Sequence, residues 1–200
     1  PPRPRVEALS PARGEDFVDA RLAKSLGTAV HRCLESLVYR EALPRTCDDA
    51  LKALLRASLI DSGTDLASVD AQCTSGVQTL DRVLADDWLR WALDGGRATR
   101  AAELPLTVAT EEGTQALVLD YVFTDEATGE RWVVDYKTAE PRPGESVDAF
   151  ESTQREHYRS QIEAYRRALS LAAPGPVRCA LYFTALGRSC EIPAADDGER

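Results

Sequence analysis

Near Leu104 the hydrophobic period of this chain changes. Up to Leu93 apolar residues recur every three or four positions, as on one face of a helix; beyond Leu104 they gather in short runs of strand composition. Leu26, Val30, Cys33, Leu34, Leu37 and Val38 predict a helix from about Lys24 to Glu41, stopped by Pro44. A second is expected over Asp48 to Ile60, before the break at Asp61-Ser62-Gly63, and a third over Val69 to Leu93, ended by Gly95-Gly96. Leu104 to Ala109, Ala116 to Thr124 and Arg131 to Lys137 then read as strands, the last two joined by a loop short enough for a hairpin. Helical spacing returns from Val147 to Ala172, and Val177 to Thr184 reads as one more strand. Helices, a three-strand meander, a helix and a strand make an α/β domain with a mixed sheet and a helical N-terminal layer.

A chain of 200 residues, 44% of them hydrophobic, suffices for one domain. Residues 1–22 are rich in proline and charge and are expected to be a linker, leaving 23–200 as the folded unit. No apolar run approaches bilayer length and no secretory leader opens the sequence, so a soluble, cytoplasmic protein without membrane contact is expected. Cys33, Cys47, Cys73, Cys179 and Cys190 are odd in number and widely spaced, unlike a disulfide framework or a zinc site. They are expected to be reduced thiols, with Cys33 and Cys73 in the core. The formal net charge of -9 argues against a protein that holds nucleic acid unaided through a broad basic face.

Reactive residue types gather at the hairpin. Alternation along the third strand sends Trp132, Val134 and Tyr136 one way and Val133, Asp135 and Lys137 the other. Asp120 interrupts the apolar run from Leu117 to Phe123 on the paired strand, where a carboxylate is costly to bury without compensation. Each has an ordinary explanation by itself, Asp120 as a strand end and Asp135 with Lys137 as a surface pair. Two acids that meet across a hairpin repel, and a hard divalent cation such as magnesium or manganese is the simple remedy.

The segments Leu117-Val118-Leu119-Asp120 and Val133-Val134-Asp135-Tyr136-Lys137-Thr138 resemble the PD-(D/E)XK nuclease superfamily. Within it they look like the C-terminal nuclease domain of RecB/AddA-type (UvrD/Rep-like) helicase-nucleases, of the exonuclease V type. Gly27 to His31, with Glu35 one turn later, resembles that family's G-x-x-x-H motif, and Gln161 with Tyr165 its Q-x-x-x-Y motif. Glu103 stands where a glutamate commonly precedes the meander. Leu117 departs from the family's usual glycine, and Tyr121 from its arginine or small aliphatic residue; neither position supplies a ligand.

The resemblance implies a restriction-endonuclease-like core and a metal-dependent deoxyribonuclease, with Asp120, Asp135 and Lys137 as catalytic residues. Asp120, Asp135, His31 and the main-chain carbonyl of Tyr136 would hold magnesium or manganese, while Lys137 would position the attacking water and offset transition-state charge. Gln161 and Tyr165 would contact DNA or buttress Lys137. Without the resemblance, His31 and Tyr165 read as core residues. Arg155, Arg159, Arg166 and Arg167 share the helix of Gln161 and could lend positive potential, although a charged helix is usually a solvated face. A related group binds an iron–sulfur cluster through cysteines whose spacing is not found here, so no cluster is expected.

The resemblance further implies a covalently linked, ATP-driven helicase that unwinds broken duplex ends and feeds single strands of DNA to this domain, with room for a second subunit. The acidic balance agrees, since the motor would then hold the DNA. No G-x-x-x-x-G-K-[ST] loop occurs, so the domain itself is not expected to use ATP. Two rival readings stand beside this one. One is a non-catalytic DNA-end-binding scaffold with a nuclease fold, which would be expected to lose the carboxylates or the lysine. The other is a free-standing exonuclease of the same superfamily.

Overall fold

The computed structural model describes residues 14–94, 99–110 and 113–194. Four helices come first: α1 (Gly14–Val38), α2 (Asp49–Asp61), α3 (Leu66–Ala85) and α4 (Asp87–Ala92). Then follow β1 (Arg100–Thr110), β2 (Gly113–Thr124), β3 (Arg131–Lys137), α5 (Val147–Ala172), β4 (Val177–Phe183) and β5 (Arg188–Ile192). The strands form one sheet in the order β1-β2-β3-β4-β5, antiparallel except where β3 lies parallel to β4. A parallel pair needs a long crossover, and α5 supplies it.

This is the expected mixed sheet, with helices on both faces. On one face α1 to α4 bury Leu34, Leu55, Leu80 and Leu89 with Tyr121, Phe123, Trp132 and Val134. On the other α5 buries Phe150, Ile162 and Leu169 with Val133, Cys179, Leu181 and Phe183. Each large apolar side chain so removed from water contributes roughly 1.5–3 kcal/mol. Trp132, Val134 and Tyr136 belong to the first core and Val133 to the second, so the alternation read from the sequence holds along β3.

Capping decides the helix boundaries. Asp48 accepts a hydrogen bond from Leu51 N at 2.8 Å and starts α2. Asp86 leaves the helical region at ψ 120° and accepts from Leu89 N at 3.0 Å. The single helix expected from Val69 to Leu93 is therefore two, because an aspartate side chain competes for backbone N–H groups and favours a cap over a helix interior. The apolar stripe crosses that break and conceals it. The expected stop at Gly95-Gly96 lies outside the described residues, as do residues 1–13 of the expected linker; residues 14–22 of that linker are helical.

Strand β5 was not expected. Gly187, at φ 61°, donates from its N–H to Phe183 O at 2.9 Å and turns the chain back along β4. Five residues with only Cys190 and Ile192 buried leave too short a pattern to read. Cys33 is buried as expected, whereas Cys73 is only partly covered. All five cysteines are free, and burial pushes the Cys33 and Cys179 thiols up to about 12. Among the described residues no helix is long and apolar enough to cross a membrane.

Candidate active site

Strands β1 and β2 both turn over at one rung. Ala102 packs toward α1 to α4 and Leu104 toward α5; Tyr121 and Leu119 divide in the same way. Residues two apart on a regular strand share a face, so the alternation breaks at Glu103 and Asp120. Glu103 has φ 49°, a region that residues with a Cβ seldom occupy. The ladder pairs Ala102 with Tyr121 and Leu104 with Leu119 but skips the rung between them. Pairing of β2 with β3 also ends here, with Tyr121 opposite Val134. Asp120 is left at an opening in the sheet, where its Oδ2 accepts from Tyr136 N at 2.8 Å.

Asp135 and Lys137 face the α5 side of the same opening. Asp135 is 2% exposed; its Oδ1 accepts from Gln161 Nε2 at 3.2 Å, and its Oδ2 lies 2.6 Å from Lys137 Nζ. The second contact is an ion pair without an aligned hydrogen bond, so Oδ2 is otherwise unsatisfied. Gln161 Nε2 also donates to the Tyr165 hydroxyl at 2.6 Å. The Lys137 ammonium stands 4.0 Å above the centre of the Tyr158 ring.

From α1, His31 brings Nδ1 to within 3.8 Å of Asp120 Oδ2 and sets its ring edge-on to that of Tyr136. Gly27 lets the helix come this close. A Cβ at that position would meet Thr138 Cγ2 at 3.2 Å, just past the end of β3. Burial pulls the His31 pKa down, against the pull of Asp135, Glu103 and the Tyr136 main chain, and Lys137 adds to the depression.

Burial also pushes the carboxyls of Asp120 and Asp135 up to about 6. The Tyr136 amide opposes the rise at Asp120 while Glu103 adds to it; at Asp135, Asp120 adds and Lys137 opposes. The Tyr165 hydroxyl is pushed up to about 12, again by burial first. Two carboxylates that disfavour each other's charge, Asp135 buried and Asp120 partly so, with an imidazole nearby, fit a divalent cation. Among the described residues no three His, Cys, Asp or Glu side chains already stand close enough to form a cage.

The seven residues given catalytic, metal-binding or DNA-contact roles from the sequence thus meet at one opening: His31, Asp120, Asp135, Tyr136, Lys137, Gln161 and Tyr165. Among the described residues Glu35 has no hydrogen-bond or ionic partner, so it does not support His31. Tyr158 was missed, although its signal was present: it lies three positions before Gln161, on the same face of a helix. Three arginines of α5 are already engaged, Arg155 by Cys190 and Glu151, Arg159 by Glu156, and Arg166 by Val177 O and Ile192 O. Two clefts adjoin the opening. One, of about 410 Å³, lies between α1 and the end of β3 and is lined by His31, Lys137 and Tyr158. The other, of about 430 Å³, lies between β2 and α5 and is lined by Gln115, Gln161 and Tyr165.

Comparison with known proteins gives three findings. A family model described as the PD-(D/E)XK nuclease superfamily matches residues 5–191. No curated protein matches the chain. A crystal structure of protein VC1899 from Vibrio cholerae is similar at 14% identity and a TM-score of 0.33, covering 82% of this chain and 47% of that one, so the chain spans about half that protein's length.

Proposed function

The chain belongs to the PD-(D/E)XK nuclease superfamily, and from that premise we propose that it hydrolyses DNA phosphodiester bonds at Asp120, Asp135 and Lys137 with a divalent metal. The observation that carries the proposal is the contact of Asp135 with Lys137 at the opening where Asp120 leaves the ladder. Members of the superfamily are metal-dependent nucleases as a rule, and the carboxylates here fit such an ion. Asp120, Asp135 and His31, with the Tyr136 carbonyl, would hold magnesium or manganese, which when bound polarises a phosphate oxygen and acidifies a water.

The protein's own groups divide the remaining work. Lys137 points its ammonium into the opening, where it can orient a water and offset charge that develops on the phosphate. Gln161 fixes the plane of the Asp135 carboxylate, and Tyr165 in turn fixes the Gln161 amide. Tyr158 restrains the flexible lysine from above. Burial disfavours protonation of His31, which favours the neutral imidazole with a lone pair to offer.

The test is cleavage of a single-stranded oligonucleotide at low salt with manganese, comparing the parent with Asp120→Ala, Asp135→Ala and Lys137→Ala. Loss of cutting in all three is expected. Undiminished cutting by all three rejects the mechanism, and end binding without cutting favours the scaffold reading instead. The proposal extends to the setting: the domain is the cutting part of an ATP-driven helicase-nuclease that processes double-strand breaks. The net charge of -9 supports this, because a separate motor would hold the DNA. The chain alone should then cut single strands and spare blunt duplex; efficient cutting of blunt duplex would point to a free-standing exonuclease.

A further inference from the structure

Arg167 differs from the other three arginines of α5. Among the described residues it has no hydrogen-bond or ionic partner, although the chain carries 33 acidic residues against 24 basic ones. It is exposed and lines the cleft between β2 and α5. Lys24, on α1, is its counterpart. It too is exposed, its side chain has no partner among the described residues, and it lines the cleft between α1 and the end of β3.

Each cleft has one lining residue in contact with Asp135, and the two contacts fall on different carboxylate oxygens. Lys137, in the first, approaches Oδ2, and Gln161, in the second, donates to Oδ1. A polyanion whose scissile phosphate sits at Asp135 therefore extends into one cleft in each direction. Several arginines elsewhere are held by carboxylates or carbonyls, Arg131 by Leu169 O and Ala173 O, Arg178 by Glu191 and Glu130, Arg188 by Glu151, whereas Arg45 and Arg142, exposed and outside both clefts, have no side-chain partner among the described residues. What sets Lys24 and Arg167 apart is their place: each is a cation without a partner among the described residues in a cleft that adjoins Asp135 through Lys137 or Gln161, and phosphate is the ligand such a cation suits.

We propose that Lys24 and Arg167 bind backbone phosphates on opposite sides of the scissile position, so that the strand runs from one cleft to the other past Lys137 and Gln161. This rests on the nuclease reading for the position of the scissile phosphate. Ser160 and Gln115, which line the second cleft beside Arg167, are polar groups within the same passage.

The test uses the full chain without metal, so that binding is measured apart from cleavage. The affinity for a single-stranded oligonucleotide is followed against salt concentration. Each phosphate contact on a single strand contributes about 0.7 to the slope of log K against log salt. Lys24→Ala and Arg167→Ala should each reduce the slope by about 0.7, the double variant by about 1.4, and Arg45→Ala, an exposed cation outside both clefts, not at all. Singly placed methylphosphonates should then weaken the parent at two positions, one lost as a contact in Lys24→Ala and the other in Arg167→Ala. In cleavage with manganese those positions should bracket the cut.

Unchanged slopes in either cleft variant, an equal effect of Arg45→Ala, or a parent that binds no oligonucleotide overturns the proposal. Altered slopes in a parent that never cuts would leave these contacts standing and reject the nuclease reading. Matching circular dichroism and melting curves show that the variants fold.

Discussion

Lys137 Nζ stands 2.6 Å from Asp135 Oδ2, although the two residues are only two apart on one strand. Strand alternation places both on the α5 face, and Tyr158 above and Gln161 beside them close the pair in. Because Asp135 is nearly inaccessible, the ammonium is the main compensation for its charge. Lys137→Met keeps the stem and removes the cation. Cleavage should fall by about 100-fold or more, as when one preorganised charge stabiliser is lost. The Asp135 pKa should also rise further, which carboxyl-selective NMR titration of the metal-free protein would show. A variant that cuts at the parent's rate removes Lys137 from the mechanism.

Asp120 is held at a cost to the fold. Its carboxyl titrates at about 6, above the ordinary carboxylate value of the unfolded chain. The folded protein therefore binds this proton more tightly. The stability it confers is present below the unfolded pKa, is lost as pH rises from about 4 through 6, and is absent at neutrality. Asp120→Asn keeps an oxygen for the Tyr136 amide without the buried charge. It should stabilise the metal-free protein at pH 7 by about 1–2 kcal/mol while abolishing cleavage. Denaturant melts at pH 5 and 7 test this, since the gain should shrink at the lower pH.

The same raised carboxyls govern metal binding. At pH 6 Asp120 and Asp135 are each partly protonated, and a divalent cation must displace those protons. Manganese titrated into the protein at pH 6 should release protons, seen as a binding enthalpy that varies with the ionisation enthalpy of the buffer. The release should fade by pH 8. Apparent affinity should rise with pH between about 5 and 7 and then level off. A buffer-independent enthalpy at pH 6 would mean that neither carboxyl carries a proton the metal removes.

Much of this site was readable before the fold was known, and what was not has identifiable causes. Alternation along β3 depends only on the strand being regular, so the common face of Asp135 and Lys137 followed from sequence alone. The place of Asp120 did not. A simple hairpin sets it across from Asp135; instead the pairing of β2 with β3 begins only at Tyr121, and Asp120, just before it, turns to the Tyr136 amide. The positive φ of Glu103, on the neighbouring strand, marks the same irregularity, and a glutamate carries no local signal for it. Asp86 escaped notice because the apolar stripe continues through the helix break, and β5 because two buried residues are too few to show a period. In the candidate site the long-range partners were the hidden part, as with Tyr158 over Lys137.

Gly27 tests how much the approach of α1 matters. A methyl group there would sit 3.2 Å from Thr138 Cγ2, so either the helix or the threonine must give by a few tenths of an ångström. His31 is one turn further along α1, and its 3.8 Å approach to Asp120 depends on where that helix lies. Gly27→Ala should favour helix formation locally and still lower cleavage, by about 10-fold if the imidazole withdraws by a fraction of an ångström. Thr138→Ala removes the clashing methyl, so the pair Gly27→Ala with Thr138→Ala should recover most of the activity. Melting temperatures separate this from simple destabilisation, because the single variant should be no less stable than the parent by more than about 1 kcal/mol. If the second substitution restores nothing, the contact with Thr138 is not what sets the reach of His31.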